Sequence, residues 1–351
     1  MDRREFLKTT GVAAAAAAAG ATGAHAAGEA GAAQTSAGAK LLRMVMPWPD
    51  DGKGFGDSAR RLARRIEAAT GSRCRVELVE STRTGIEVLA AGEAELYHGT
   101  EDRHVALHPA FAYFAGLPWE RGLPVADLEA WLVAGGGQAL WDGLAGKFGV
   151  KSLLAGHTGP VSLWSAAPLD RLADLAGLGM SVDGLAAEVV RGIGAEPVAL
   201  APGEIVAAMK AGRIGAAQYG GVIAAMSLGL PEIAPRAYAL ALGGQGTAMS
   251  LGVSRALWDS LAEADKAAFA SAAREELHTT IAEERAHREP ILMAMRRRYG
   301  VVEALVGAEV KDATERIGGA VVAHAAGHDA DARRINASYM GFAASGAGPS
   351  V

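Results

Sequence analysis

Residues 182–219, VDGLAAEVVRGIGAEPVALAPGEIVAAMKAGRIGAAQY, carry the alternation that decides the fold. Val182 ends a strand, Leu185 to Ile193 reads as a helix and Pro197 to Leu200 as a strand; Glu204 to Ala211 is again helical and Ile214 to Tyr219 extended. Short strands separated by helices need crossover connections, and crossovers lay strands parallel. The segment therefore predicts a βαβ unit within an α/β protein.

The same order appears nearer the amino terminus. Leu41 to Met46 is an apolar run that stops at Pro47-Trp48-Pro49, a strand entering a loop. From Phe55 to Ala69 the apolar residues Phe55, Ala59, Leu62, Ala63 and Ile66 recur at three and four, with Arg60, Arg61, Arg64 and Arg65 opposite. This predicts an amphipathic helix with a solvated basic face. Arg75 to Val79 alternates as a half-buried strand, Ile86 to Ala91 is helical and Glu95 to His98 extended, which argues for a largely parallel sheet.

Between these units lie the glycines Gly135-Gly136-Gly137, a helix over Gln138 to Phe148, a strand over Lys151 to Ala155 and the loop Gly156-His157-Thr158-Gly159. Beyond Ala256 the chain is almost continuously helical, through Asp259 to Met295 and Ala308 to His324, and Pro290 predicts a kink or a break there. Two α/β units joined by crossing strands and closed by long helices leave a cleft between lobes, a preferred place for a small molecule.

Composition narrows the function. The 351 residues hold 34 Lys plus Arg against 39 Asp plus Glu, a net charge of −5, which excludes a basic nucleic-acid binder. Half the residues are apolar, enough for a sizeable core, and the single Cys74 offers neither an intramolecular disulfide nor a thiolate cluster. Residues 1–26 run from Arg3-Arg4 through the weakly apolar Val12 to Ala19 to Ala24-His25-Ala26, the layout of a twin-arginine signal cleaved near Ala26. The apolar run is too short to span a bilayer. Removing this segment takes away three basic and two acidic residues, so 34 − 3 = 31 against 39 − 2 = 37 leaves −6, a mildly acidic exported chain preceded by a flexible leader over 27–39.

The motifs speak against catalysis. There is no Gly-x-Ser-x-Gly elbow, Cys-x-x-Cys, His-Glu-x-x-His or phosphate loop, and no nucleophile and base pair stands at a useful spacing. His324 and His328, followed by Asp329 and Asp331, fit solvated helix ends better than a metal site, because no third ligand is fixed by spacing. The most unusual local chemistry is His98-Gly99-Thr100-Glu101-Asp102-Arg103-His104, directly after a predicted strand, where α/β proteins hold ligands; an exposed, self-neutralising charge cluster is the plain alternative.

Ala130-Trp131 through Gly135-Gly136-Gly137, Leu140-Trp141, Ala155-Gly156-His157-Thr158-Gly159, Asp174-Leu175-Ala176-Gly177-Leu178-Gly179-Met180, Gly184 to Val189, Gly194 to Val198, Pro202-Gly203-Glu204-Ile205, Leu228-Gly229-Leu230 and Asn336 to Phe342 follow one another in an order that is familiar. Over nearly all of 40–342 the chain resembles the periplasmic solute-binding subunits of TRAP transporters, nearest the group that binds 2-oxo acids and related carboxylates. The resemblance implies an α/β, two-lobed periplasmic binding protein fold with a hinge, an interlobe cleft and long C-terminal helices. It places lobe I at 40–155 plus about 249–285, lobe II at 156–248 plus about 286–342 with the C-terminal helices, and a tail at 343–351. It also implies a non-enzymatic receptor in the periplasm that delivers a ligand to small and large membrane subunits, and that can pair as a homodimer through the C-terminal helices. A sensor or adaptor without a transport role is the alternative from another class.

Where the resemblance should place the ligand, this chain departs from the family. An arginine that grips the substrate carboxylate is here Ser181, which has one donor and no charge. The acidic metal-and-ligand position is Gln218 and the aromatic wall beside it Tyr219; the Trp-His-Glu-Pro run has become Gly244-Gln245-Gly246-Thr247; and the loop after Gly159 is one residue shorter up to Trp164. Aromatic residues of the family are replaced by Asp102-Arg103-His104. The expected site is therefore Arg103 and His104 holding an anion from the other lobe, with Asp102, His157, Trp164, Ser181, Gln218, Tyr219 and Gln245 around it. If Arg103 instead pairs with Glu101 or Asp102, the ligand is neutral. No metal and no cofactor are expected, since Gln218 has lost the charge for a cation.

Overall fold

The computed structural model describes residues 38–49, 52–118, 122–239 and 245–346; the expected signal over 1–26, the leader as far as residue 37, Gly244 and the end of the tail lie outside them. In chain order the strands are β1 (Lys40–Met46), β2 (Cys74–Glu80), β3 (Leu96–Thr100), β4 (Val150–His157), β5 (Ser162–Ser165), β6 (Gly179–Ser181), β7 (Glu196–Pro197), β8 (Ala216–Gln218), β9 (Arg236–Ala239), β10 (Ala248–Ser254) and β11 (Val302–Ala304). They form two sheets, ordered β2-β1-β3-β10-β4 and β11-β9-β5-β8-β6-β7.

In the first sheet β1 pairs in parallel with β2, Lys40 opposite Cys74 through Met46 opposite Glu80, and in parallel with β3. β10 then runs antiparallel to both β3 and β4, so the sheet is mixed where a largely parallel one was expected. β10 comes from the far end of the chain, and no local pattern announces an inserted return strand. Its run AMSLGVS is buried along nearly its whole length, as a central strand covered on both faces must be. In the second sheet β6, β7 and β8 are parallel and β5 lies antiparallel to β8 and β9. β7 covers only Glu196–Pro197 instead of continuing to Leu200, because it is the edge strand and pairs with β6 at two positions.

The helix Phe55–Ala69 has the expected bounds, with Phe55, Ala59, Leu62, Ala63 and Ile66 buried against the first sheet. Its arginine face is not free. Arg61 donates to Glu276 and Glu283, both at 2.8 Å, and Arg65 also pairs with Glu276, whose side chain is fully buried on the helix Glu263–Tyr299. That helix runs 37 residues without a break, including Pro290. Of the kink or break expected at Pro290, the break does not occur: the ring removes one backbone donor and the flanking turns carry on.

The last helix, Ala330–Ala344, packs on the helices around Trp131 and Trp141 as well as on the helix Ala308–Gly327 before it. Ala332, Ile335 and Tyr339 join a cluster in which Phe114 stacks on Trp141 (5.0 Å between centroids) and on Trp131 (5.4 Å), and Leu123 donates its N–H to the Tyr339 hydroxyl at 2.7 Å. The aromatic surface around Trp131 needs a cover, and the helix supplies it at large sequence separation. No helix among the described residues is long and apolar enough to cross a membrane.

Candidate ligand-binding cleft

The loops beyond the ends of β1, β3, β6 and β8 converge on a cleft of about 670 Å3, counted with the solvent at its mouth. From the first sheet come Pro47 and Trp48 after β1, Thr100 at the end of β3, and Asp102 and Arg103 in the following 3-10 turn, Glu101–His104. From the second come Ser181 and Asp183 after β6, and Gln218, Tyr219 and Gly220 after β8. Loops past the ends of strands are where a twisted α/β sheet leaves room for a ligand.

The turn after β3 divides its charges between two destinations. Glu101 is fully buried and accepts hydrogen bonds from the Tyr97 hydroxyl (2.6 Å) and the Ser250 hydroxyl (2.7 Å), while its second oxygen meets His104 Nδ1 at 2.9 Å. Burial pushes the Glu101 carboxyl up, but His104 and these donors together hold it below the usual glutamate range. Asp102 and Arg103, one and two residues on, face the cleft. The turn is thus neither an exposed cluster nor a uniform binding motif: Glu101 and His104 brace the lobe, and Asp102 and Arg103 face the ligand space.

Arg103 reaches across the cleft. One guanidinium nitrogen stands 3.8 Å from Asp183 of the second lobe, and another donates to the Thr82 carbonyl at 3.3 Å. It pairs with neither Glu101 nor Asp102, the two partners the sequence offered for it. Loss of water on the side that faces the cleft, and then the negative charge of Asp102, push Asp183 up to about 6, with Arg103 opposing, although nearly half of its side chain stays exposed. Burial likewise raises Asp102, against hydrogen bonds from Thr100 and the charge of Arg103.

Two further contacts join the lobes here. Gly184, at φ +64°, lies so close to Asp102 that an added Cβ would stand 2.9 Å from the Asp102 Cβ. Trp48 stacks on Phe55 (4.7 Å between centroids), and Phe55 meets Tyr219 edge-on at 5.3 Å, an aromatic wall built from both sheets. Behind the wall the crossing segments lie side by side. Thr158 donates its N–H to the Thr247 carbonyl at 3.0 Å, Thr247 returns its N–H to the Thr158 hydroxyl at 2.9 Å, and a Cβ on Gly246, at φ +122°, would collide with the Gly159 carbonyl and the His157 ring.

Among the described residues, five buried side-chain polar atoms have no hydrogen-bond partner, and four of them line this cleft: Trp48 Nε1, Asp102 Oδ1, Arg103 Nε and Gln218 Oε1. Buried polar atoms are almost always paired, so four orphans on one space make this cleft the candidate ligand site.

Of the nine expected site residues the cleft thus gathers Asp102, Arg103, Ser181, Gln218 and Tyr219. It does not gather the other four. His104 is held inward by Glu101, and His157 lies 7 % exposed in a neighbouring pocket with Thr280 and Glu284, its Nδ1 accepting from the Gly159 N–H at 3.0 Å. Trp164 is buried in β5 opposite Ala217 and Ala237, and Gln245 is exposed to solvent. Trp48, Phe55, Thr100 and Asp183 line the cleft without having been expected there. Asp183 was within reach of sequence reasoning, two residues beyond Ser181 after a predicted strand; Trp48 stood in the Pro47-Trp48-Pro49 loop.

With this geometry in view, the chain can be set beside known proteins. Residues 51–315 match the model of the bacterial extracellular solute-binding proteins, family 7. A monocarboxylate 2-oxoacid-binding periplasmic protein of Nostoc sp. is 28% identical over 270 residues, covering 74% of this chain and 72% of that protein. Among solved structures, a TRAP transporter solute-binding protein from Bordetella bronchiseptica, with copurified calcium and picolinate, is similar at a TM-score of 0.82 and 23% identity, over 88% of this chain and 93% of the other. One from Colwellia psychrerythraea, with bound calcium and pyruvate, follows at 0.81 and 20%, over 87% and 94%.

Proposed function

The chain belongs to family 7 of the bacterial extracellular solute-binding proteins, and from that membership we propose that it is the solute receptor of a TRAP-type transporter, capturing a small carboxylate in the cleft between its lobes. It is a substrate-binding receptor and not an enzyme. The observation that carries the reading is the convergence of Arg103 Nε and Trp48 Nε1, both buried and unpartnered, on one cleft lined from both lobes. A carboxylate can accept from both donors and brings a charge that a guanidinium binds with two parallel hydrogen bonds. A ligand touching both lobes stabilises the closed arrangement over the open one, and the closed form is what membrane subunits can recognise.

In this reading Arg103 takes the role of the arginine that the family resemblance places at Ser181, and Ser181, Gln218 and Tyr219 line the opposite wall. Lobe I comprises 40–155 and about 249–285, with the last helix added to it; lobe II comprises 156–248 and the helices between. Residues 1–26 export the chain by the twin-arginine route, supported by Arg3-Arg4, the short apolar run and the small residues at Ala24 and Ala26. Two similar structures hold calcium with their ligand. In this chain the acidic position that the family resemblance gives to a cation is Gln218, which has lost the charge for holding one.

The test is to purify the chain from a native-like host, denature it and identify the released small molecules by mass spectrometry beside an Arg103→Ala sample. A stoichiometric organic acid from the parent, missing from the variant, is the expected result. A compound without a carboxylate, retained by both, would overturn it.

A further inference from the structure

We infer that the carboxylate ligand also carries a protonated amine, an amino-acid-like zwitterion whose amine is held by Asp102. The inference rests on the cleft being the carboxylate site proposed above. It starts from the kinds of atom left unpaired: two are donors, Arg103 Nε and Trp48 Nε1, and two are acceptors, Asp102 Oδ1 and Gln218 Oε1. A 2-oxo acid offers acceptors only. It can satisfy the two donors and must leave both buried acceptors bare, with a carboxylate oxygen among them. An ammonium group has three N–H donors and can give one to each acceptor while the carboxylate of the same molecule takes the two donors.

Charge points the same way. The side chains lining the cleft that carry charge are Asp102, Arg103 and Asp183, two acids and one base. Arg103 is already shared with Asp183 at 3.8 Å, and burial disfavours the charge on Asp102. A simple monoanion entering would set a third negative group around one guanidinium, whereas a zwitterion brings a cation for Asp102 with the anion for Arg103 and leaves the balance unchanged. The remaining wall also tolerates a cation, because Trp48, Phe55 and Tyr219 present aromatic rings to the space, and ring faces attract an ammonium. A hydroxy acid would give one proton to one acceptor but would not change the charge count.

The experiment is isothermal titration calorimetry at neutral pH on the mature chain, stripped of endogenous ligand by unfolding and refolding. The probes are the common α-amino acids, β-alanine and γ-aminobutyrate, each set beside its 2-oxo or 2-hydroxy counterpart where one exists, with and without calcium chloride. An amino acid that binds at least about tenfold more tightly than its 2-oxo and 2-hydroxy counterparts is expected. Asp102→Asn should weaken that amino acid by about tenfold or more and leave its 2-oxo counterpart unweakened, since the change removes a repulsion from the latter. Should Asp102→Asn fail to give the parent's circular dichroism, Gln218→Met, which removes the other bare acceptor, reads the same sign. A 2-oxo acid that binds as well as its amino counterpart, or only when calcium is present, overturns the inference and leaves the carboxylate reading standing. Tightening of an amino acid by Asp102→Asn also overturns it. If no member of either series binds, both readings fall.

Discussion

The guanidinium of Arg103, in the turn after β3, stands 3.8 Å from the carboxylate of Asp183, in the loop after β6, so a single ion pair spans the cleft between the two sheets. Asp183 is 45 % exposed, and at that exposure the pair by itself contributes little to stability. Its place matters more: the pair holds Arg103 at the wall of the proposed ligand cleft. Arg103→Ala should leave the thermal midpoint nearly unchanged and weaken carboxylate binding roughly ten- to hundredfold, the size of about 1.5–3 kcal/mol for a hydrogen bond to a charged group. Calorimetric titration of parent and variant with the released ligand checks this; equal affinities would remove Arg103 from the site.

Gly184 allows the second lobe to approach Asp102. A methyl group there would meet the Asp102 Cβ at 2.9 Å, and φ +64° strains any L side chain. Gly184→Ala should cost about 1 kcal/mol of stability from the backbone and, separately, hold the lobes apart. Small-angle scattering with saturating ligand should show a larger radius of gyration than the parent's. A variant that closes to the parent's dimensions would show that this contact does not limit closure.

Glu276 sits fully buried between Arg61 and Arg65 and joins the helix Phe55–Ala69 to the helix Glu263–Tyr299. Burial pushes its carboxyl up, and the Arg61 hydrogen bond and charge pull it back. Glu276→Gln leaves two guanidinium groups short of a counter-charge, and removing one partner of a buried pair costs about 3 kcal/mol. Urea denaturation should show that loss with an unchanged slope, and a loss below about 1 kcal/mol would mean that Glu283 takes over the pairing.

His98 and His157 are both pushed down to about 4 by burial. The Ser250 carbonyl can only accept, so His98 Nδ1 donates to it at 3.0 Å, and neutral Nε2 is left to accept from the Ser58 hydroxyl at 3.1 Å. A histidine lowered from 6.5 to about 4 on folding takes up its proton earlier in the unfolded chain. Its stability contribution is therefore complete above pH 6.5 and is lost as pH falls toward 4, about 3 kcal/mol for His98. The raised carboxyls of Asp102, Asp183, Glu276 and Glu284 act in the opposite sense over the acid side of that window, so the informative quantity is a difference. Melting curves of parent and His98→Gln should converge as pH falls from 6.5 to 4; parallel curves would contradict the buried neutral ring.

Much of the fold was legible because it is written in local periodicity. The helix Phe55–Ala69 follows from five apolar residues at spacings of three and four, and β1 from an apolar run ended by Pro47. β10 was not legible, although it is the strand that makes the first sheet mixed. Its place between β3 and β4 is a pairing over some 150 and 100 residues of separation, and an apolar heptapeptide carries no sign of which partners it will find. The last helix is similar: its apolar stripe says that it packs, and only the fold's placing of Trp131 beside it says where.

The candidate site divides along the same line. Sequence alone determined that residues 98–104 hold unusual charge after a strand and that Ser181, Gln218 and Tyr219 stand at the ends of others, since residue type and strand position are properties of a single segment. Tertiary structure alone decided that Glu101 and His104 turn inward to Tyr97 and Ser250 while Asp102 and Arg103 turn outward, and that Arg103 meets Asp183 and neither of its neighbours. The direction of a side chain in a turn is set by what the other segments bring to it: buried donors that need Glu101 on one side, and an open lobe face with a carboxylate on the other.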